Sequence, residues 1–117
     1  MEIYQDLLVW QRSIELVTLI YTVTADFPDS EKFGLVNQMR RSAVSIPSNI
    51  AEGHARKSSG DFVRFLRISY GSSAELETQL IISKKLSLVG GAEFDRIQEQ
   101  TTVVRKMLNK LITSLSV

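Results

Sequence analysis

Residues 36–53 read VNQMRRSAVSIPSNIAEG and decide the fold. Apolar side chains recur there at steps of three, four, three and four, at Val36, Met39, Ala43, Ile46 and Ile50. This spacing places all of them on one face of an α-helix. The helix is predicted to start at Ser30 or Glu31 and to end between residues 53 and 60, and Pro47 inside it is expected to cause a kink.

Three further helices are predicted on either side of this stretch. The first opens near Asp6 as its cap and carries a main stripe of Leu7, Trp10, Ile14, Val17 and Tyr21, which is widened by Leu16, Leu19, Ile20 and Val23. The third follows the turn at 57–61, with an inner face of Phe62, Leu66, Ser69, Ser73, Leu76 and Leu80. The fourth follows the glycine pair at 90–91, with Phe94, Ile97, Thr101, Val104, Leu108, Leu111 and Leu115. These helices predict an all-α fold, a single domain over 1–117 that forms an antiparallel up-down-up-down four-helix bundle.

The composition excludes several classes of protein. The 117 residues are 44% hydrophobic and include no cysteine, so a disulfide scaffold, a thiolate zinc site and a cysteine nucleophile are ruled out. No apolar run approaches the roughly 20 residues of a membrane-spanning helix, and the first residues do not resemble a signal peptide. A cytoplasmic protein without membrane partners is therefore expected.

The sequence contains none of the catalytic motifs that its composition would allow. His54 is the only histidine, and no glutamate precedes it at the Glu-x-x-His spacing of a di-metal bundle. No glycine-rich phosphate loop or nucleophile elbow accompanies a strand. We therefore expect no enzymatic activity, no metal and no cofactor.

Charge is distributed unevenly along the chain. Residues 1–31 carry one basic and six acidic side chains, net −5, whereas residues 32–67 carry seven basic and two acidic ones, net +5. Basic residues near the second turn would attract phosphates, in an interaction that depends on salt and not on sequence. The candidate nucleic-acid contacts are Arg40, Arg41, Arg56, Lys57, Arg64 and Arg67. The alternatives are a solvated helix end, or a patch complementary to the acidic first helix of another subunit.

A second interpretation uses some of the same arginines. Helices two and three carry polar residues that would form an interhelical or intersubunit network of partly buried ion pairs: Arg40, Arg41, Asn49, Glu52, Glu75 and Glu77. Pairing with glutamate would withdraw these arginines from phosphate.

Two other patterns concern packing. Small residues at 69–74 predict close contact with Ser42, Ala43 and Ser45 on the preceding helix. Each helix also carries apolar residues outside its main stripe, which one bundle core cannot easily bury. An oligomer that uses a second face is therefore expected.

Several blocks of sequence resemble the four-helix bundle proteins encoded by intervening sequences in 23S ribosomal RNA genes. They are DLLVWQ at 6–11, FP at 27–28, FGL at 33–35, QMRRSAVSIPSNIAEG at 38–53, FL at 65–66, GS at 71–72 and ELETQL at 75–80. The resemblance implies a ring-shaped homopentamer with no established enzymatic activity. It extends to the related accessory protein of diversity-generating retroelements, a basic pentamer that associates with a reverse transcriptase and nucleic acid.

Two hypotheses about function follow. In the first, a non-enzymatic oligomer binds structured RNA or a ribonucleoprotein through its basic surface. In the second, the protein is a structural or protein-interaction scaffold that does not bind nucleic acid.

Overall fold

The computed structural model describes residues 3–116, which contain four α-helices and no β-strand. The helices are α1 (Leu8–Thr24), α2 (Leu35–Ala55), α3 (Ser59–Lys85) and α4 (Gly91–Leu115). Each helix packs against the next one along the chain, and α1 also packs against α4. The prediction of an all-helical, four-helix protein is confirmed. None of the described helices combines the length and the apolarity needed to cross a lipid bilayer.

The α2 stripe forms the centre of the core, as predicted. Met39, Ala43, Ile46 and Ile50 are completely buried, and Val36 is nearly so. The helix continues through Pro47 to Ala55. It begins later than predicted, because residues 29–31 form a separate 3-10 turn.

The structure divides the predicted α1 stripe, since the residues predicted to widen it form the core and its main residues lie at the core's edge. The side chains that face the core are Val9, Leu16, Leu19, Ile20 and Val23. In the predicted stripe, Trp10, Ile14 and Val17 are only half-buried, and Tyr21 is 43% exposed. The core stripe also contains Ser13 and Thr24, whose hydroxyls donate to the backbone carbonyls of Trp10 and Ile20. These hydrogen bonds remove most of the cost of burying two polar groups.

Asp6 does not cap α1. It belongs to a short 3-10 turn at Tyr4–Asp6, where its carboxylate accepts a hydrogen bond from the backbone of Ile3. Leu7 occupies the cap position without a side-chain hydrogen bond.

The α3 and α4 stripes agree with the sequence. Leu66, Ser69, Ser73, Leu76 and Leu80 of α3 are fully buried, as are Ile97, Thr101 and Leu108 of α4. Ser58 caps α3 by accepting a hydrogen bond from the backbone of Asp61. Ser87 lies in the left-handed region at φ 59°, and the bonds from Ser87 and Leu88 to the Lys84 and Ser83 carbonyls end α3 in a Schellman motif.

Helices α2 and α3 approach each other closely at Gly53. A Cβ added there would lie 2.6 Å from the Cβ of Phe65, so no larger residue fits without movement. Serine hydroxyls also join the two helices: Ser69 donates to the Ile46 carbonyl at 2.9 Å, and Ser45 and Ser72 are hydrogen-bonded at 2.8 Å. Gly71, by contrast, is exposed with open space beside it, so it takes no part in the predicted close packing within the chain.

Candidate nucleic-acid interface

The connection between α2 and α3 carries four cations, two of which stack on one aromatic ring. The chain turns over Arg56, Lys57 and Ser58, which brings the end of α2 beside the first turns of α3. The guanidinium carbons of Arg56 and Arg64 lie 5.1 and 4.6 Å from the centre of the Phe65 ring. This stacking orients both guanidinium groups while leaving their N–H groups accessible. We call Arg56, Lys57, Arg64 and Arg67 the basic rim.

Two of the four rim cations have acidic neighbours. Arg56 lies 3.1 Å from Glu52, and Arg64 lies 3.7 Å from Asp61. All four side chains of these pairs are about half exposed, so the pairs are weak and screened by salt. Lys57 and Arg67 are exposed and form no ion pair within the described part of the chain. They are the rim charges most available to an external anion.

Arg40 lies apart from the basic rim. Its Nε donates to the Thr24 hydroxyl at 3.0 Å and its Nη2 to the Tyr21 carbonyl at 3.3 Å. Its guanidinium also lies 4.4 Å from the centre of the Tyr21 ring. Because α2 rises about 1.5 Å per residue, Arg40 is roughly 24 Å along the helix from Arg56. The side chain therefore joins α1 to α2 instead of extending the rim.

Arg41 also lies far from the rim, in a polar groove between α2 and α3. This groove encloses about 420 Å³ and is lined by Gln38, Arg41, Ser42, Ser45, Ser72, Glu75 and Gln79. Asn49 donates to the hydroxyl and carbonyl of Ser45, which fixes the groove's serine pair. The Oε1 atom of Gln79 is buried and accepts no hydrogen bond from the described residues.

The predicted polar network divides into separate contacts within one chain. Glu52 pairs with Arg56 of its own helix, and Glu75 lines the polar groove opposite Arg41. Glu77 pairs at 3.2 Å with Arg105 of α4. Sequence reasoning missed Arg105, which directly follows Val104 and so lies at the border of the apolar stripe of α4.

Arg105 holds α3 and α4 together. Its Nε donates to the Ser73 hydroxyl at 3.1 Å, and its guanidinium lies 4.6 Å from the centre of the Tyr70 ring. The side chains of Arg105 and Glu77 are only 24% and 30% exposed. This pair is therefore the most buried ion pair among residues 3–116 and is occupied internally.

An apolar groove lies between α1 and α2. It encloses about 280 Å³ and is lined by Tyr4, Trp10, Ile14, Val17, Val44, Pro47, Ser48 and Ala51. Trp10, Ile14 and Val17 of the main α1 stripe lie here, at the edge of the core. The sequence could not distinguish this groove from the interior, because both surfaces are apolar.

His54 has a packing role in the structure. Its ring meets the Phe62 ring edge-on, with centres 5.5 Å apart. Among residues 3–116 there is no group of three or more acidic, histidine or cysteine side chains arranged to hold a metal ion.

Comparisons with known proteins place these features in a family. A structure from Bacteroides thetaiotaomicron, described as a protein of unknown function from the S23 ribosomal protein family, is similar in fold, with a TM-score of 0.81. The two sequences are 25% identical, and the match covers 90% of this chain and 98% of the other. No curated protein matches the chain. The model of the 23S rRNA-intervening sequence protein family matches residues 5–110, and the chain therefore belongs to that family.

Proposed function

We propose that this protein is a non-enzymatic oligomer that binds structured RNA, or a ribonucleoprotein, through the basic rim. The observation that supports this most directly is the group of four cations at the α2–α3 connection, two of which stack on Phe65. Two guanidinium groups stacked on a ring are held ready for bidentate contact with phosphate, at little further cost in conformational entropy. Lys57 and Arg67 add charge that no carboxylate among residues 3–116 pairs with.

The proposed architecture is an antiparallel up-down-up-down bundle that assembles into a homopentameric ring. Support for the antiparallel arrangement comes from contacts between α2 and α3, where Gly53 lies against Phe65 and Met39 lies against Ser83. Between α3 and α4, Lys84 lies over the Phe94 ring and Ser73 meets Arg105. In both cases the end of one helix lies beside the start of the next, and residues farther from the connection also face each other, as in an antiparallel pair. The ring is supported by the family resemblance and by the exposed apolar side chains outside the core.

RNA binding is tested by titrating the purified protein with a structured RNA and with duplex DNA across a salt series. We expect affinity for the RNA to fall steeply as salt rises, because phosphate contacts release counterions. The double variant Lys57→Glu and Arg67→Glu should bind at least tenfold more weakly at low salt, while keeping the mass of the wild-type oligomer.

The matched control is the double variant Lys106→Glu and Lys110→Glu. Both lysines are exposed on α4 and lie outside the basic rim, so the change in net charge is the same. Equal loss of affinity in the two variants would show that overall charge is responsible and not the rim. An intact oligomer that binds neither nucleic acid at low salt would overturn the RNA proposal.

The second candidate is a protein-interaction scaffold without nucleic-acid binding. It is favoured by the contacts of Arg56 with Glu52 and of Arg64 with Asp61, which leave the rim with a smaller excess of positive charge. Under this hypothesis the rim variant changes binding to a partner protein or to another subunit, and RNA affinity stays negligible throughout.

A further inference from the structure

The polar groove between α2 and α3 contains two opposite charges that do not pair. Arg41 and Glu75 both line it, yet neither forms an ion pair with the other or with any other side chain among residues 3–116. Elsewhere in the bundle an arginine and a glutamate on neighbouring helices do pair, as Arg105 and Glu77 show. The groove therefore keeps a cation and an acceptor separately available to a ligand.

Ser42 opens into the same groove with its hydroxyl unused. The residue is only 7% exposed and lines the groove, but its hydroxyl makes no hydrogen bond to any of residues 3–116. The oxygen is not sealed inside the protein, in contrast to the Oε1 atom of Gln79. A serine buried to this degree normally has a hydrogen-bond partner. That partner must come from the groove, as a ligand or as solvent that a ligand displaces.

A second hydroxyl of the groove is oriented by its neighbours. Asn49 donates to the Ser45 hydroxyl at 2.9 Å, and the hydroxyls of Ser45 and Ser72 are joined at 2.8 Å. Because each hydroxyl carries one proton, the simplest arrangement has Ser45 donating to Ser72. The proton of Ser72, which lines the groove, is then free to donate to a ligand.

The groove thus offers several donors beside one carboxylate. Arg41, Ser42 and Ser72 donate, which suits the phosphate and sugar oxygens of a nucleotide. The Glu75 carboxylate only accepts, so it suits a group that presents N–H donors. Among the four RNA bases, guanine alone has two adjacent donors, N1–H and the N2 amino group, that one carboxylate can accept together. The groove volume of about 420 Å³ is within the usual range of small-molecule sites.

The polar groove and the basic rim lie along the same seam between α2 and α3. Glu75 follows Arg64 by eleven residues, and Arg56 follows Ser45 by eleven. Eleven residues make about three helical turns, so the two members of each pair project to the same side of their helix. Arg41 is roughly 22 Å along α2 from Arg56. An RNA strand that is held at the rim can therefore continue into the groove.

Gly71 keeps the α3 side of this path open. It lies one helical turn before Glu75, and a Cβ at this position would have no neighbour within 4 Å. Packing within the chain therefore does not require a glycine here. A strand that lies against α3 gains from it, because a missing side chain permits close approach to the helix backbone.

We propose that the polar groove binds one unpaired guanine of an RNA whose phosphates lie on the basic rim. Arg41 contacts a phosphate, and the Glu75 carboxylate accepts hydrogen bonds from N1–H and the N2 amino group of the base. This inference rests on the proposed function and adds a base preference, which phosphate contacts alone cannot provide.

Three hairpin RNAs that differ in one loop nucleotide test the proposal. The loop consists of uridines except at one position, which carries guanine, inosine or adenine. Inosine lacks only the N2 amino group of guanine, and adenine lacks the pair of adjacent donors. At low salt the wild-type protein should bind the guanine hairpin at least tenfold more tightly than the adenine hairpin, with the inosine hairpin between them.

The substitution Glu75→Gln removes the proposed base contact, because glutamine replaces one acceptor oxygen with a donor. Glu75 is exposed and unpaired, so the fold should not change. This variant should bind the guanine hairpin no more tightly than the adenine hairpin. If Glu75 only repels phosphate, the variant will instead bind all three hairpins more tightly by the same factor, and the base contact is overturned.

Glu99→Gln is the matched control. It removes the same charge from an exposed position on α4, beside Arg12 and away from the polar groove. This variant should keep the wild-type preference for guanine. A loss of preference equal to that of Glu75→Gln would show that net charge is responsible and would contradict the proposal.

The substitution Arg41→Gln tests the phosphate contact. It should weaken binding of all three hairpins by a similar factor and reduce the salt dependence, while the preference for guanine remains. Unchanged affinity for every hairpin would show that Arg41 does not contact the RNA.

The failures of the two proposals are distinguishable. A protein that binds none of the three hairpins at low salt overturns RNA binding and the guanine site together. A protein that binds all three equally, and loses this binding with Lys57→Glu and Arg67→Glu, retains RNA binding at the rim and overturns only the guanine site.

Discussion

Gly53 shows how a single residue sets the distance between two helices. Its missing side chain lets Phe65 pack against the α2 backbone, and Phe65 in turn carries the guanidinium groups of Arg56 and Arg64. The close contact between Gly53 and Phe65 thus supports both the packing of the core and the position of the basic rim.

We expect Gly53→Ala to lower the free energy of unfolding by about 1–3 kcal/mol, because the added methyl group overpacks the contact with Phe65. Gly60→Ala is the control, since position 60 has open space around it and lies in the first turn of α3. Urea denaturation at one fixed protein concentration compares the variants. A Gly53→Ala variant as stable as Gly60→Ala would show that the two helices adjust without cost.

Single residues also show which packing details the sequence alone could not predict. The small residues at 69–74 were predicted to pack together, but only the serines among Gly71, Ser72 and Ser73 face neighbouring helices. Composition identifies a segment that allows close approach, but the choice of which small residue turns inward depends on the rotation of α3. That rotation is set by larger side chains elsewhere on the helix.

At the scale of whole helices, the sequence predicted α2, α3 and α4 better than α1. The α2 stripe is clear because Met39, Ile46 and Ile50 are large apolar residues at regular helical spacing. Helix α1 offers two apolar stripes, and the one with the larger aromatic residues, Trp10 and Tyr21, lies toward the surface. The buried stripe includes Ser13 and Thr24, whose bonds to their own helix backbone are not visible in a hydropathy pattern.

Contacts between helices also separate strong ion pairs from weak ones. Arg105 and Glu77 join α3 to α4, are mostly buried, and belong to a network with Ser73 and Tyr70. Arg12 and Glu15 lie on one helix, 4.0 Å apart, and are 52% and 65% exposed.

A double-mutant cycle with alanine at Arg105 and Glu77 should give a coupling free energy of about 1–2 kcal/mol. The same cycle at Arg12 and Glu15 should give no more than about 0.5 kcal/mol, because solvent and salt screen an exposed pair. Denaturant unfolding of the single and double variants measures both values. Equal coupling free energies in the two pairs would mean that burial does not strengthen the ion pair between Arg105 and Glu77.

For the whole molecule, the sequence predicted the family and the basic segment, but not how its charges are distributed in space. Of the six predicted cations, Arg56, Lys57, Arg64 and Arg67 surround one turn. Arg40 and Arg41 lie more than three turns away on α2, because residues close in sequence spread along a helix axis. The apolar groove escaped prediction since it arises only when α1 and α2 pack side by side.

The cyclic arrangement of the helices has a consequence for how the chain folds. Three of its four helix contacts join consecutive helices and form by closing short loops, whereas the contact between α1 and α4 joins helices at opposite ends of the described chain. The largest entropic cost of loop closure therefore falls on the contact between α1 and α4. Packing between consecutive helices should precede it, with the α2–α3 pair as the expected nucleus and the docking of α1 on α4 as the last event.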